Sequence, residues 1–161
     1  MKNYIKKIEK PTVIIMAGSD SDIKHINKIK DALVKYDLPS QVRICSAHKQ
    51  ANELVELIKE YNKCKYPILI VGVAGGTDAL SGTASFHSVF PVVSCPPEGL
   101  NESCLMNPPG SSNAFIKRPE NVAKFAAQLF SVYNENLKSF INSQNQEKIQ
   151  KLQKADLNFN S

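Results

Sequence analysis

A chain of 161 residues with 42% apolar and 22% charged side chains has the size and composition of one globular domain with its own core. No apolar run approaches the roughly 20 residues that cross a bilayer, and the lysine-rich start Met1-Lys2-Asn3-Tyr4-Ile5-Lys6-Lys7 lacks a signal-peptide centre, so a cytoplasmic protein without membrane contact is expected. The net charge of +5 is scattered, apart from Lys2, Lys6, Lys7 and Lys10 near the start, which reads as a solvated surface and not as a nucleic-acid footprint.

Taken in order, residues 1–10 read as a flexible basic lead-in, and the β-branched run 12–17 as a buried strand. A helix is expected over 22–36, where Ile23, Ile26, Ile29, Leu33 and Tyr36 recur at spacings of three and four, and Asp37-Leu38-Pro39 ends it. Residues 41–46 form a second strand and 49–61 a second helix burying Leu54, Leu57 and Ile58. The run 67–73 is apolar throughout, as in a strand covered on both faces, and it enters a glycine-rich loop over 74–82. A fourth strand is expected at 91–95, a loop over 98–112, and a short fifth strand at 113–116. Pro119 opens a helix carrying Val122, Phe125, Ala126, Leu129, Phe130 and Tyr133. From about 134 a polar helical extension follows, loose at residues 158–161.

Strands alternating with helices indicate a single α/β domain over 1–161, a three-layer doubly wound parallel sheet of the flavodoxin-like kind. Cys45, Cys64, Cys95 and Cys104 show no C-x-x-C pair and no metal-ligand spacing, so they read as reduced thiols. Ligands of such sheets bind outside the carboxyl ends of the strands. Three strands here end in small polar loops, at 19–22, 46–49 and 75–78, and their convergence is the main functional signal.

In the first loop, Gly18, Ser19, Ser21 and Asp22 stand at a helix start, where unpaired N–H groups and the helix dipole favour a phosphate and Asp22 is placed for ribose hydroxyls. The same residues also suit plain helix capping. In the second loop, His48 lies beside Ser46, Ala47 and Lys49; an imidazole there can move a proton near neutral pH, or can simply bond a backbone carbonyl. His25, inside the first helix, and His87 read as surface or packing residues.

Together, Gly18-Ser19-Asp20-Ser21-Asp22, Ser46-Ala47-His48-Lys49, Ala74-Gly75-Gly76-Thr77-Asp78-Ala79-Leu80-Ser81-Gly82 and Cys95-Pro96-Pro97 resemble the purine-biosynthetic aminoimidazole ribonucleotide (AIR) carboxylases and their mutase relatives. The resemblance covers nearly the whole chain, including Phe125-Ala126-Ala127-Gln128. In the mutase branch the second motif reads S-A-H-R and the glycine loop carries a histidine. In the direct carboxylase branch it reads S-A-H-K, and the loop is of the type A-G-R-S-N-A-L-S-G. Lys49 and Ala79-Leu80-Ser81-Gly82 are similar to the direct branch, which uses CO2 as co-substrate without ATP, biotin or metal.

The resemblance implies a small ribonucleotide substrate, with Ser19, Ser46 and Lys49 on its 5′-phosphate and Asp22 on its ribose. It implies His48 as the catalytic residue, and backbone N–H groups of Gly75, Gly76 and Thr77 around CO2. Gly18, Ser21, Ala47, Ala74, Asp78 and Leu80 complete the expected substrate-binding set. It also implies a homo-octamer, or a homotetramer. Where the branch carries Arg-Ser-Asn this chain has Gly76-Thr77-Asp78, which removes a cation and brings an acid to the expected CO2 site. Where it carries Ser-Ser-Leu-Arg this chain has Ser103-Cys104-Leu105-Met106. The alternatives are the N5-carboxyamino-AIR mutase, a nucleotide-binding homologue with altered catalysis, and a receiver-type module; the last lacks an acidic residue at the end of Val71-Gly72-Val73.

Overall fold

Large apolar residues in Thr12–Ala17 (β1) and Ile68–Val73 (β3) are buried along the full length of both strands, which requires a sheet covered on both faces. The computed structural model, which describes residues 5–97 and 102–160, shows that sheet: five parallel strands in the order β2-β1-β3-β4-β5. The remaining strands are Ser40–Ile44 (β2), Val92–Ser94 (β4) and Ala114–Phe115 (β5). This order is that of the flavodoxin-like doubly wound fold.

The two-residue period of a strand divides the core in two. Val13, Ile15 and Ala17 of β1, with Leu69, Val71 and Val73 of β3, face helices Ile23–Val34 (α1), Pro119–Ser131 (α4) and the first turns of Glu135–Phe159 (α5). Ile14, Met16, Ile68 and Ile70 face Ala51–Asn62 (α2) and Ala79–His87 (α3). Each of the large side chains fully buried in this way contributes about 1.5–3 kcal/mol. Helix α1 is followed by Asp37, held at φ 51, and the chain then turns through Leu38-Pro39 into β2.

The structure differs from the sequence expectations at four places. The glycine-rich loop is short, because a helix, α3, begins at Ala79; its inward face carries Ser81, Gly82 and Ser85 as well as Leu80 and Ala84, so no apolar stripe marks it. Of the lead-in, residues 5–10 are laid on the domain: Ile5 and Ile8 pack on the α2 side of the core, and Gln41 donates to the Lys6 carbonyl at 2.9 Å. Helix α5 runs to Phe159, well into the end expected to be loose. Strand β2 ends at Ile44, leaving residues 45 and 46 to the site described below. Residues 1–4, 98–101 and 161, which include parts of the expected lead-in, loop and loose end, lie outside the described residues. Cys45, Cys64, Cys95 and Cys104 stand outside any disulfide, and no helix among the described residues is long and apolar enough to cross a membrane.

Candidate active site

From β1 the chain crosses outward to β2 and then returns to β3 on the other side, so the carboxyl ends of β1 and β3 flank the switch point of the sheet. A cleft of about 320 Å³ opens there. Two backbone hydrogen bonds hold its base: Gly18 N–H donates to Val73 O at 3.0 Å, and Cys45 N–H to Ala17 O at 2.8 Å.

The first wall is the turn that follows β1. Ser19 has the extended backbone of an N-cap, and its Oγ accepts from the Ser21 N–H at 3.2 Å and from the Ser21 hydroxyl at 2.9 Å. Ser19 thus caps the short 3-10 turn Asp20–Asp22 that leads into α1, not α1 itself, and Ser19, Ser21 and Asp22 line the cleft. A Cβ on Gly18 would meet nothing within 4 Å, so this glycine opens space instead of relieving a close contact.

The second wall is a tight turn between β2 and α2. Gln50 N–H donates to Ser46 O at 2.8 Å, the Gln50 side-chain oxygen accepts from Ser46 N–H at 3.2 Å, and Ser46 Oγ accepts from Lys49 N–H at 3.3 Å. This closed ring lifts His48 and Lys49 to an exposed crest over the cleft, with Ala47 beneath.

The third wall is the loop from Ala74 to Thr77, completed by Ala79 and Leu80 of α3. Gly76 lies at φ +60, a conformation glycine adopts without cost, and it exposes the loop backbone to the cleft. Thirteen of the fourteen residues expected at the site line this one cleft, and the exception is Asp78.

Asp78 was expected beside the CO2 position, and the structure corrects that placement. Its carboxylate is buried and turned inward, where it accepts from Ser81 N–H at 2.8 Å, the Ser81 hydroxyl at 2.6 Å and the Ser94 hydroxyl at 2.7 Å. The physical reason is the helix start: α3 has orphan N–H groups, and an acid at the cap position satisfies them with favourable charge. Asp78 N–H in turn donates to Ser103 Oγ at 2.8 Å, which joins the cleft loop to the short 3-10 turn Ser103–Leu105. Helix α3 can come this close because β3 carries Gly72, where a Cβ would stand 2.6 Å from Ser81 Oγ. Sequence reasoning missed Ala79 as a lining residue and Ser81, Ser94 and Ser103 as supports. The available signal was Asp78 three residues before Ser81, a capping spacing.

His25 and His87 stand outside the cleft. His25 is half-buried, with Nε2 at 3.1 Å from Cys95 O and 3.4 Å from Cys95 Sγ; burial holds its pKa below the usual 6.5. Burial also pushes the Cys95 thiol up to about 12. His87 closes α3 with its ring edge-on to Phe86 at 5.0 Å. A larger groove of about 430 Å³ lies at the amino ends of the strands, where Lys10 stands 3.9 Å from Asp37 and Asn134 caps α5.

The family model described as AIR carboxylase matches residues 12–151 of the chain. A phosphoribosylaminoimidazole carboxylase of Treponema denticola is 34% identical over 153 residues, which is 91% of this chain and 96% of that protein. The human bifunctional phosphoribosylaminoimidazole carboxylase/phosphoribosylaminoimidazole succinocarboxamide synthetase is 36% identical over 128 residues; the match takes in 76% of this chain and 30% of the human protein. Among solved structures, that of Treponema denticola PurE superposes with a TM-score of 0.87 at 34% identity, covering 92% of this chain and 98% of that one.

Proposed function

The chain belongs to the AIR carboxylase family of purine biosynthesis, and from that membership we propose that it is a direct carboxylase, which joins CO2 to C4 of the imidazole of AIR. The observation that carries the reading is the crest formed by Ser46, Ala47, His48 and Lys49 across one cleft from the loop of Gly75, Gly76 and Thr77. The lysine after the histidine is the mark of the direct branch in the resemblance, and the relatives in Treponema denticola and Homo sapiens bear the name carboxylase.

The electron-rich aminoimidazole ring is itself the nucleophile, so the protein supplies position and proton transfer. Ser19, Ser46 and Lys49 hold the 5′-phosphate, with the N–H groups at the start of α1 adding an anion-favouring field. Asp22 takes the ribose hydroxyls, and Gly18, Ser21, Ala47, Ala74 and Leu80 shape the ring pocket. C4 attacks the CO2 carbon; a C–C bond forms and one C–O π pair moves onto oxygen, where loop N–H groups receive the charge. His48 then removes the C4 proton, which restores the aromatic ring. AIR and CO2 thus give 4-carboxy-AIR (CAIR) and one proton, a scheme in which ATP, biotin and metal take no part.

Exposed apolar side chains support a homo-oligomer, an octamer on the family pattern: Met106 is 83% exposed, Val132 75% and Phe159 91%. Sedimentation at micromolar concentration checks this, and a monomer would overturn it. The purine-biosynthetic family is in keeping with work in the cytoplasm.

The reaction is tested with two substrates, AIR plus bicarbonate-derived CO2 and N5-carboxyamino-AIR, following CAIR by ultraviolet absorbance. Turnover with CO2 is expected. Turnover with the N5 compound alone makes the protein a mutase, and AIR binding without turnover makes it a nucleotide-binding homologue. His48→Asn should keep AIR binding while turnover falls about 10²–10⁴-fold, the usual worth of a positioned acid–base group. Near-normal turnover would remove His48 from the mechanism.

A further inference from the structure

We infer that His25 is a positioning residue: by donating to the Cys95 carbonyl it sets the first turn of α1, and with it Ser19, Ser21 and Asp22, against the end of the sheet. The inference rests on the proposed role of that turn in ribonucleotide binding. It adds a residue that neither touches the cleft nor belongs to any motif of the family resemblance.

The apolar anchoring of α1 begins only at Ile26, followed by Ile29, Ala32 and Leu33. Upstream, no residue from Gly18 to His25 is buried, so the turn that presents the serines lies beyond the reach of the core. His25 lies one turn after Asp22 and is tied across the sheet to β4. Its Nε2 sits 3.1 Å from Cys95 O, and a carbonyl only accepts, so Nε2 carries the proton.

The acceptor is well placed to be rigid. Cys95 is fully buried, its N–H donates to Gly72 O at 2.8 Å, and its thiol points to Lys117 O at 3.9 Å. Pro96 follows it, and its ring fixes φ at the next residue. Burial favours the neutral ring, while the hydrogen bond to the Cys95 carbonyl draws its pKa the other way. Asp22, Lys28 and Glu120 are the charged groups whose fields reach it.

Two variants of the full chain separate positioning from packing. His25→Phe keeps a ring of similar size without the donor, and His25→Gln keeps a side-chain N–H of similar reach. Amide hydrogen exchange in the ligand-free protein is read first. His25→Phe should exchange about five- to tenfold faster at Ser21, Asp22 and Ile23, the ratio one hydrogen bond is worth, with β1 and β3 unchanged. His25→Gln should stay near wild type. With AIR and CO2, KM for AIR should rise by a similar factor in His25→Phe while kcat holds.

Unchanged exchange at those amides overturns the inference. So does an increase spread evenly over the chain, or a His25→Gln variant as impaired as His25→Phe. His25→Ala, which needs no space, is read by the same criteria if the phenylalanine prevents folding. A wild-type protein that does not turn AIR over would overturn the carboxylase reading, while the exchange measurement still decides the role of His25.

Discussion

The turn after β1 and the loop after β3 face each other across the cleft, yet they are held in opposite ways. The turn is held at its surface, by bonds between Ser19 and Ser21 that lie in solvent, with no buried residue from Asp20 to Asp22. The loop is held from behind, by the Asp78 carboxylate and three donors that are buried with it. A hydrogen bond in water exchanges for water at small net cost, whereas a buried one leaves a desolvated partner when broken. The loop should therefore tolerate little change behind it, and the turn should tolerate much. The acid that the sequence brings to the expected CO2 position serves the scaffold of that position.

Asp78→Ala should show the largest stability effect. It removes a helix cap and leaves the Ser81 and Ser94 hydroxyls buried without their acceptor. Together these cost about 3 kcal/mol, which lowers Tm by roughly 6–12 °C at this chain length. Calorimetry checks it, and a loss under about 1 kcal/mol, the worth of an exposed cap, would erase the contrast between the two walls. Gly72→Ala tests the same wall from the strand side. The new Cβ would stand 2.6 Å from Ser81 Oγ, so α3 or the serine must shift. Overpacking of this kind costs about 1–3 kcal/mol, and a neutral substitution would show that the wall is soft.

Ser19→Ala strikes the opposite wall and should be mild in stability, about 0.5–1 kcal/mol as an exposed cap. On the proposed placement of the 5′-phosphate at Ser19, its larger effect should be a rise in KM for AIR. A Tm loss equal to that of Asp78→Ala would mean the turn is as integral to the fold as the loop.

The contrast also explains what could be read from the sequence. β1 and β3 were plain because β3 is apolar throughout and β1 is apolar after Thr12, and the cleft was plain because three strands end in small polar residues. Helix α3 was hidden because Ser81, Gly82 and Ser85 occupy its inward face, where a pattern of large apolar residues would be expected. A Cβ at Gly82 would stand 2.6 Å from the Asn107 side-chain oxygen, so a larger residue there would make Asn107 move. Asp78 was assigned to the cleft because its partners Ser94 and Ser103 lie 16 and 25 residues away, beyond any local pattern. Ile5 and Ile8, at helical spacing within a basic run, were the available sign that the lead-in is attached.

The smallest expected effect concerns pH, and it belongs to the turn. Its tie to β4 runs through a titratable ring, His25, whose folded pKa lies below the ordinary 6.5, chiefly because burial disfavours the charged form. A base that binds its proton less tightly when folded contributes stability that is fully present above the unfolded pKa. That contribution is lost as pH falls through 6.5 toward the folded value, because the unfolded chain then takes up the proton first. The wild type should therefore lose Tm more steeply than His25→Gln between pH 7 and pH 5, and the two should run parallel above pH 7. Parallel curves throughout would mean that His25 is no harder to protonate in the fold than outside it. The turn would then be held by a bond indifferent to pH, which would remove this difference between the walls and leave only that of burial.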